Sequence, residues 1–370
     1  TARYGEKMTE LVPDTAHLEE RVEMVRPQRL AENVVFIDGF SSSGKSLIAP
    51  ILSSLQRSEL WRLDHNFEFL CTLDHLRQMD RRAATMMVKL HADLALYNLM
   101  IGRNINFREG DESGAPANLQ VERYRARLFE RDGDRVTHLI QESNPNLFIM
   151  THWILPMSEV LWEALQERLR LFIVCVRHPF WQIEAWFKGD WEARVGRDPR
   201  DFQPCYKRNG LTFPWYASEW ELEHGRLSRL ERAIQHVASY SRGCEEFCSR
   251  RSVSERNRVM FVPFEPFTQD PAAYLGQLAS CLDTKETGLT SLVFEKVGVP
   301  RKHPAGYLQS KKQEVDQLLR VDIFLLRQLM FFGHDDDELL FVQGAGHDVG
   351  FSKRKRNHDG VQLAFSKLLT

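Results

Sequence analysis

No run of about 18 uninterrupted apolar residues occurs in this 370-residue chain, so no membrane-spanning helix is expected. The most apolar helical pattern, residues 83–101, is interrupted by Lys89, His91 and Asp93. Neither sign of charge is in excess: 49 Lys and Arg stand against 51 Asp and Glu, a net charge of −2, which argues against general nucleic-acid binding. Cysteine is sparse as well. The six, at 71, 175, 205, 244, 248 and 281, form no C-x-x-C pair and no dense framework, so free thiols in a reducing compartment are expected. Cys244 and Cys248 share one face of a predicted helix, but the neighbourhood offers no two further metal ligands. Fixed-period repeats, low-complexity tracts and an apolar signal core near the start are all lacking, and the expectation is a globular, cytoplasmic protein. The first residue is Thr1 rather than Met, so the sequence given need not be the whole protein.

Four short, continuous, β-rich runs bounded by polar turns predict buried strands: 34–38 "VVFID", 147–151 "LFIMT", 171–176 "LFIVCV" and 258–263 "RVMFVP". Helical patterns lie between them, notably at 156–170 and 226–249. Strands alternating with helices predict an α/β fold with a mainly parallel sheet and helices on both faces. The interval 57–145 is too long for a simple crossover and reads as a helical insertion or lid, broken by the polar loop 102–118. Residues 1–32 read as an N-terminal segment, 33–335 as the main domain and 336–370 as a surface extension carrying the basic run Lys353–Arg356.

Between the first strand and the helix that follows it lies Gly39-Phe40-Ser41-Ser42-Ser43-Gly44-Lys45-Ser46, which fits G-x-x-x-x-G-K-[ST]. In that context successive backbone N–H groups turn inward at a helix N-terminus, where an anionic phosphate is favoured. Gly39 and Gly44 permit backbone angles that a Cβ would obstruct, and the Lys45 ammonium reaches the next phosphate or its equivalent. A P-loop NTPase-like fold follows. A nucleoside-triphosphate enzyme would also need an acid ending a second strand to hold Mg²⁺ with Ser46. Here 147–151 runs into His152 and 171–176 into Arg177, and only 258–263 is followed by an acid, Glu265.

Those strand ends carry a resemblance. Residues 147–187, with a strand, a Thr-His-x-x-x-Pro turn, a helix, a strand and Arg-x-Pro, resemble the central segment of sulfotransferases that use 3′-phosphoadenosine 5′-phosphosulfate, PAPS. Residues 259–282, a strand followed by an acid, a loop, Asp-Pro and a helix, are similar to a later segment of that family. With the phosphate loop the resemblance covers about residues 33–56, 147–190 and 257–283.

The resemblance implies that Ser41, Ser42, Ser43, Gly44, Lys45 and Ser46 hold the 5′-phosphosulfate, that Arg177 binds the 3′-phosphate, and that His152 is a general base. Arg301-Lys302-His303 stands where the family has Arg-Lys-Gly at the 3′-phosphate. PAPS is thus the expected co-substrate, with a small-molecule or carbohydrate acceptor and no metal. A permanently charged guanidinium fork suits a phosphate, and an imidazole can take a hydroxyl proton near neutrality. From residue type alone, Arg177 also fits an ion-pair partner at the sheet edge, and His152 a hydrogen-bonded structural histidine. Arg103, Asn106 and Arg108 in the polar loop are candidates for an acceptor wall. An ATP- and Mg²⁺-dependent small-molecule kinase and a non-catalytic nucleotide-binding protein are the competing readings, and the sequence fixes no oligomeric state.

Overall fold

The computed structural model describes residues 24–302 and, beyond them, Gly306, Tyr307, Gln309, Ser310 and Gln313. The strands are β1 (Asn33–Asp38), β2 (Arg62–Leu63), β3 (Asn146–Met150), β4 (Leu169–Val176), the hairpin pair β5 (Cys205–Arg208) and β6 (Leu211–Pro214), and β7 (Val259–Pro263). Five of them form one parallel sheet in the order β2-β3-β1-β4-β7, while β5 and β6 pair antiparallel.

Why the strands read as unbroken apolar runs is visible in their packing: every residue of β1 and β3 is buried. Side chains alternate between the two faces of a strand. Val34, Phe36, Leu147, Ile149, Phe172 and Val174 therefore enter one core, and Val35, Ile37, Phe148, Met150, Leu171 and Ile173 the other. The first core is covered by the helices His65–His75, Arg81–Met100, Glu159–Leu165, Pro179–Lys188 and Arg229–Ser249. Lys45–Ser53, Pro271–Cys281 and Thr290–Val297 cover the second. The fold is α/β, with a mainly parallel sheet flanked by helices, as the alternation of patterns predicts.

Two expected elements differ in extent. The helix expected over 156–170 narrows to Glu159–Leu165 between two 3₁₀ turns, Leu155–Met157 and Gln166–Arg168, and Gln166 leaves the helix with φ of 50°. Arg229–Ser249 begins three residues later than expected, because Ser228 and Glu231 form a reciprocal capping box there. The stretch 57–145 supplies β2 and the helices His65–His75, Arg81–Met100, Val121–Arg127 and Gly133–Ser143. Its Phe67, Val88 and Leu96 share the core of Val34 and Phe36.

No helix among the described residues is long and apolar enough to cross a membrane. All six cysteines are free thiols, with Cys244 buried and Cys248 partly so. The expected extension 336–370, with its basic run, lies outside the described residues.

Candidate active site

The loop after β1 is shaped by three residues in the left-handed half of backbone space: Gly39 (φ 129°), Ser42 (φ 65°) and Gly44 (φ 103°). Glycine is required at both ends. A Cβ on Gly39 would stand 2.3 Å from the carbonyl oxygen of Cys175 on β4, and one on Gly44 2.4 Å from the Phe264 ring beyond β7. The loop is thus pressed onto the C-terminal ends of β4 and β7. The helix Lys45–Ser53 then starts with Leu47 and Ile48 N–H donating to the Gly44 carbonyl at 3.0 and 3.1 Å.

Lys45 folds back inside this turn. Its ammonium is buried and donates to the Gly39 carbonyl. Burial lowers its pKa to about 8, against the fields of Asp38 and Glu68, which raise it. The Ser43 hydroxyl is buried without a hydrogen-bond partner among the described residues, while Ser46 is exposed. A lysine ammonium, an unpartnered hydroxyl and a loop that tolerates no Cβ at either glycine are a donor set that fits a phosphate.

Asp38, at the end of β1, directly precedes the loop. It accepts from Thr151 Oγ1 (2.9 Å), the backbone N–H groups of Ile154 and Leu155 (both 3.0 Å) and the Tyr240 hydroxyl (3.0 Å). With four donors the carboxylate ties β1 to the turn after β3 and to the helix Arg229–Ser249.

That turn presents His152. Its Nδ1 lies 2.8 Å from Glu68 Oε1, and the other oxygen of Glu68 lies 2.9 Å from His65 Nδ1. His65 and Glu68 are three apart on the helix His65–His75, so both face the same side. The two imidazole planes are 12° from parallel, with centroids 5.9 Å apart. Burial raises the Glu68 pKa, but the charge and hydrogen bonds of His152 and His65 outweigh it and bring the carboxyl down to about 2. His152 is lowered from its ordinary value, first by burial and then by the Lys45 charge, whereas His65 is raised, chiefly by its bond to Glu68. One donor atom from each of the three residues lies within 4.8 Å of the others, and their types suit a transition-metal ion.

His65, His152 and Ser41 open onto a cavity of about 420 Å³, also walled by Trp153, Trp186, Trp191 and Phe202 and by the charged Arg194, Asp198, Arg200 and Asp201. Two of its tryptophans are packed on further rings. Trp153 and Trp186 pack on Phe40 and on His236, and His236 stacks on Tyr216 at 3.9 Å. Trp186 thus packs and lines the cavity at once, Trp191 lines it, and Trp181 stacks on Tyr307 at 4.5 Å.

Arg177 reaches the loop from the end of β4, with Nη1 donating to the Ser42 carbonyl at 3.0 Å and Nε 3.7 Å from Glu265. Arg301 lies near the same side: its backbone N–H reaches Thr268, in the helix Phe264–Gln269, at 2.6 Å. Its guanidinium, however, closes the end of the helix Thr290–Val297 through the carbonyls of Val297 and Gly298. Arg103, Asn106 and Arg108 are not among the residues lining the cavity. The physical reason lies in the chain path. The polar loop starts against Arg127, where a Cβ on Gly102 would meet the Arg127 carbonyl at 2.1 Å, and Arg127 pairs with Glu59, ahead of β2. The Asn106 amide is used inside its own loop, on Asp111 and Ser113.

Sequence reasoning missed Glu68, His65 and the segment 194–203 of the cavity wall. The i, i+3 spacing of His65 and Glu68 just after Asp64, which caps their helix by accepting from Asn66 N–H, was the available signal.

No family model and no curated protein matches the chain. Among solved structures it is similar to the sulfotransferase domain from the curacin biosynthetic pathway, with a TM-score of 0.36 and 15% identity over 79% of this chain and 99% of that one. It is similar too to the sulfotransferase domain of the Synechococcus PCC 7002 olefin synthase, at TM-score 0.36 and 14% identity over 84% and 98%. A Mycobacterium avium sulfotransferase gives 0.36 and 12% over 79% and 77%.

Proposed function

We propose that the chain is a sulfotransferase, moving a sulfuryl group from PAPS to a hydroxyl or amine of a small-molecule or carbohydrate acceptor. One observation carries the reading. Ser41 of the glycine loop and the imidazole of His152, backed by Glu68, line the same cavity, and the buried Lys45 of that loop acts on His152 by its charge. Ser41 to Ser46 and Lys45 would hold the 5′-phosphosulfate, and Arg177 the 3′-phosphate.

In this scheme His152 takes the acceptor's proton as the acceptor oxygen or nitrogen bonds to sulfur. The bond from sulfur to the phosphate oxygen breaks, and its electron pair leaves on the 3′,5′-bisphosphate beside Lys45. No step calls for a metal. The Asp38 carboxylate, engaged by four donors, is occupied in holding the fold together.

A thermal-shift panel tests the reading: adenosine 3′,5′-bisphosphate, ATP with Mg²⁺, and ATP with a chelator. A ligand at a hundredfold excess over its Kd stabilises the folded state by about 2.7 kcal/mol. The bisphosphate is expected to raise Tm without metal. A shift seen only with ATP and Mg²⁺ would instead establish the kinase reading.

A further inference from the structure

Two imidazoles that line the cavity share one buried carboxylate, an arrangement that the proposed transfer uses only in part. Glu68 has 4% of its side chain exposed, and its two oxygens are divided, Oε1 to His152 Nδ1 at 2.8 Å and Oε2 to His65 Nδ1 at 2.9 Å. An ionised carboxylate can only accept hydrogen bonds, so each ring must bring its proton on Nδ1. A neutral imidazole protonated at Nδ1 has a bare Nε2, the atom able to accept a proton.

We infer that Glu68 is a positioning residue that holds His152 in the Nδ1–H tautomer with Nε2 as the accepting atom, and that His65 secures the other oxygen of Glu68. The inference rests on the sulfotransferase reading only for the use made of Nε2. The tautomer itself follows from the geometry. A metal ion on the same three donors is the competing occupant, since their donor atoms lie within 4.8 Å of one another. Each ring's Nδ1 stands at hydrogen-bond distance from Glu68, and the Lys45 charge acts on both Glu68 and His152.

Long-range ¹H–¹⁵N correlation spectra of the full chain report imidazole tautomers directly, with His152→Ala and His65→Ala assigning the signals. His152 is expected as Nδ1–H in the parent. In Glu68→Gln the amide has one accepting oxygen and one donating NH₂, so at least one of the two rings should change to Nε2–H. Single-turnover release of sulfate from PAPS, with water as the acceptor probe, should fall by about tenfold or more in that variant. Its affinity for adenosine 3′,5′-bisphosphate should stay within about threefold, because Glu68 acts on Lys45 through its charge alone and its hydrogen bonds go to His65 and His152.

Nε2–H on His152 in the parent overturns the inference, as do unchanged tautomers in Glu68→Gln. So does stoichiometric zinc in the purified chain that disappears in His65→Ala. Should Glu68→Gln fail to fold, the parent spectrum still decides. Should the parent bind no bisphosphate, the sulfotransferase reading falls while the tautomers still report on Glu68.

Discussion

Arg177 holds the glycine loop by its backbone, Nη1 donating to the Ser42 carbonyl at 3.0 Å, at the loop residue whose φ is 65°. The guanidinium lies between two rings, its Cζ 5.0 Å from the Trp181 centroid and 4.9 Å from that of Phe264, and its Nε is 3.7 Å from Glu265. One cation thereby joins the end of β4, the loop and the residues after β7. Val176 and Pro263, which precede these groups, are register partners, so the junction follows from the sheet order. A planar, permanently charged group suits such a place better than a lysine would.

This geometry sharpens what removing Arg177 should do. In the proposed site Arg177→Ala removes charge-assisted bonds to a 3′-phosphate, and the preference for adenosine 3′,5′-bisphosphate over adenosine 5′-phosphate should fall by about tenfold or more, since 1.4 kcal/mol is a decade. Titration of both ligands into parent and variant gives the ratio. Were both affinities to fall together with the ratio intact, Arg177 would act by fixing the Ser42 carbonyl alone.

Lys45 sets a pH limit on binding. With its pKa lowered to about 8, the ammonium that meets an anion is present below that value and lost as pH rises through it. Bisphosphate affinity should therefore be highest below about pH 8 and decline above it, and Lys45→Ala should weaken binding and flatten that limb. Calorimetric titration from neutral to alkaline pH checks this. An alkaline limb that survives in Lys45→Ala would assign the titration to another group.

Asp38 makes the most concentrated demand on stability. Asp38→Ala leaves the Ile154 and Leu155 N–H groups, the Thr151 hydroxyl and the Tyr240 hydroxyl without their acceptor, and should cost about 3 kcal/mol or more. Tyr240→Phe removes one donor and leaves three, so its cost should be about 1–2 kcal/mol. Urea unfolding of both variants separates the cases. Equal losses would mean that the packing around Tyr240, rather than the carboxylate, carries the effect.

The sheet was legible because β1, β3, β4 and β7 are apolar on both faces, which leaves unbroken hydrophobic runs in the sequence. β2 was not, since two residues, one of them exposed Leu63, give no period to read. At the site, the glycine loop announces itself because strand, loop and helix are consecutive. The partnership of His152 with Glu68 spans 84 residues and depends on how the helix His65–His75 packs, which no local pattern encodes. Asn106 shows the converse limit. A polar loop reads like a binding wall, yet its polar groups can be consumed by the loop itself, as Asp111 and Ser113 consume the Asn106 amide.

His152 separates binding from chemistry. A general base acts on the acceptor's proton in the transition state and contributes about 10² to 10⁴ in rate without touching the nucleotide. His152→Ala is therefore expected to bind adenosine 3′,5′-bisphosphate nearly as the parent does, while single-turnover transfer from PAPS falls by about a hundredfold or more. The pH profile supplies a second check. Because burial and the Lys45 charge lower the His152 pKa from its ordinary 6.5, the neutral imidazole persists to lower pH than in a free histidine. The acid limb of the parent's transfer rate should then have its midpoint below 6.5. His65 is shifted the other way by its bond to Glu68, so a midpoint above 6.5 that vanishes in His65→Ala would mark His65 as the base instead. Full transfer by a folded His152→Ala chain would remove His152 from the chemistry, and loss of folding together with binding would return it to a structural role.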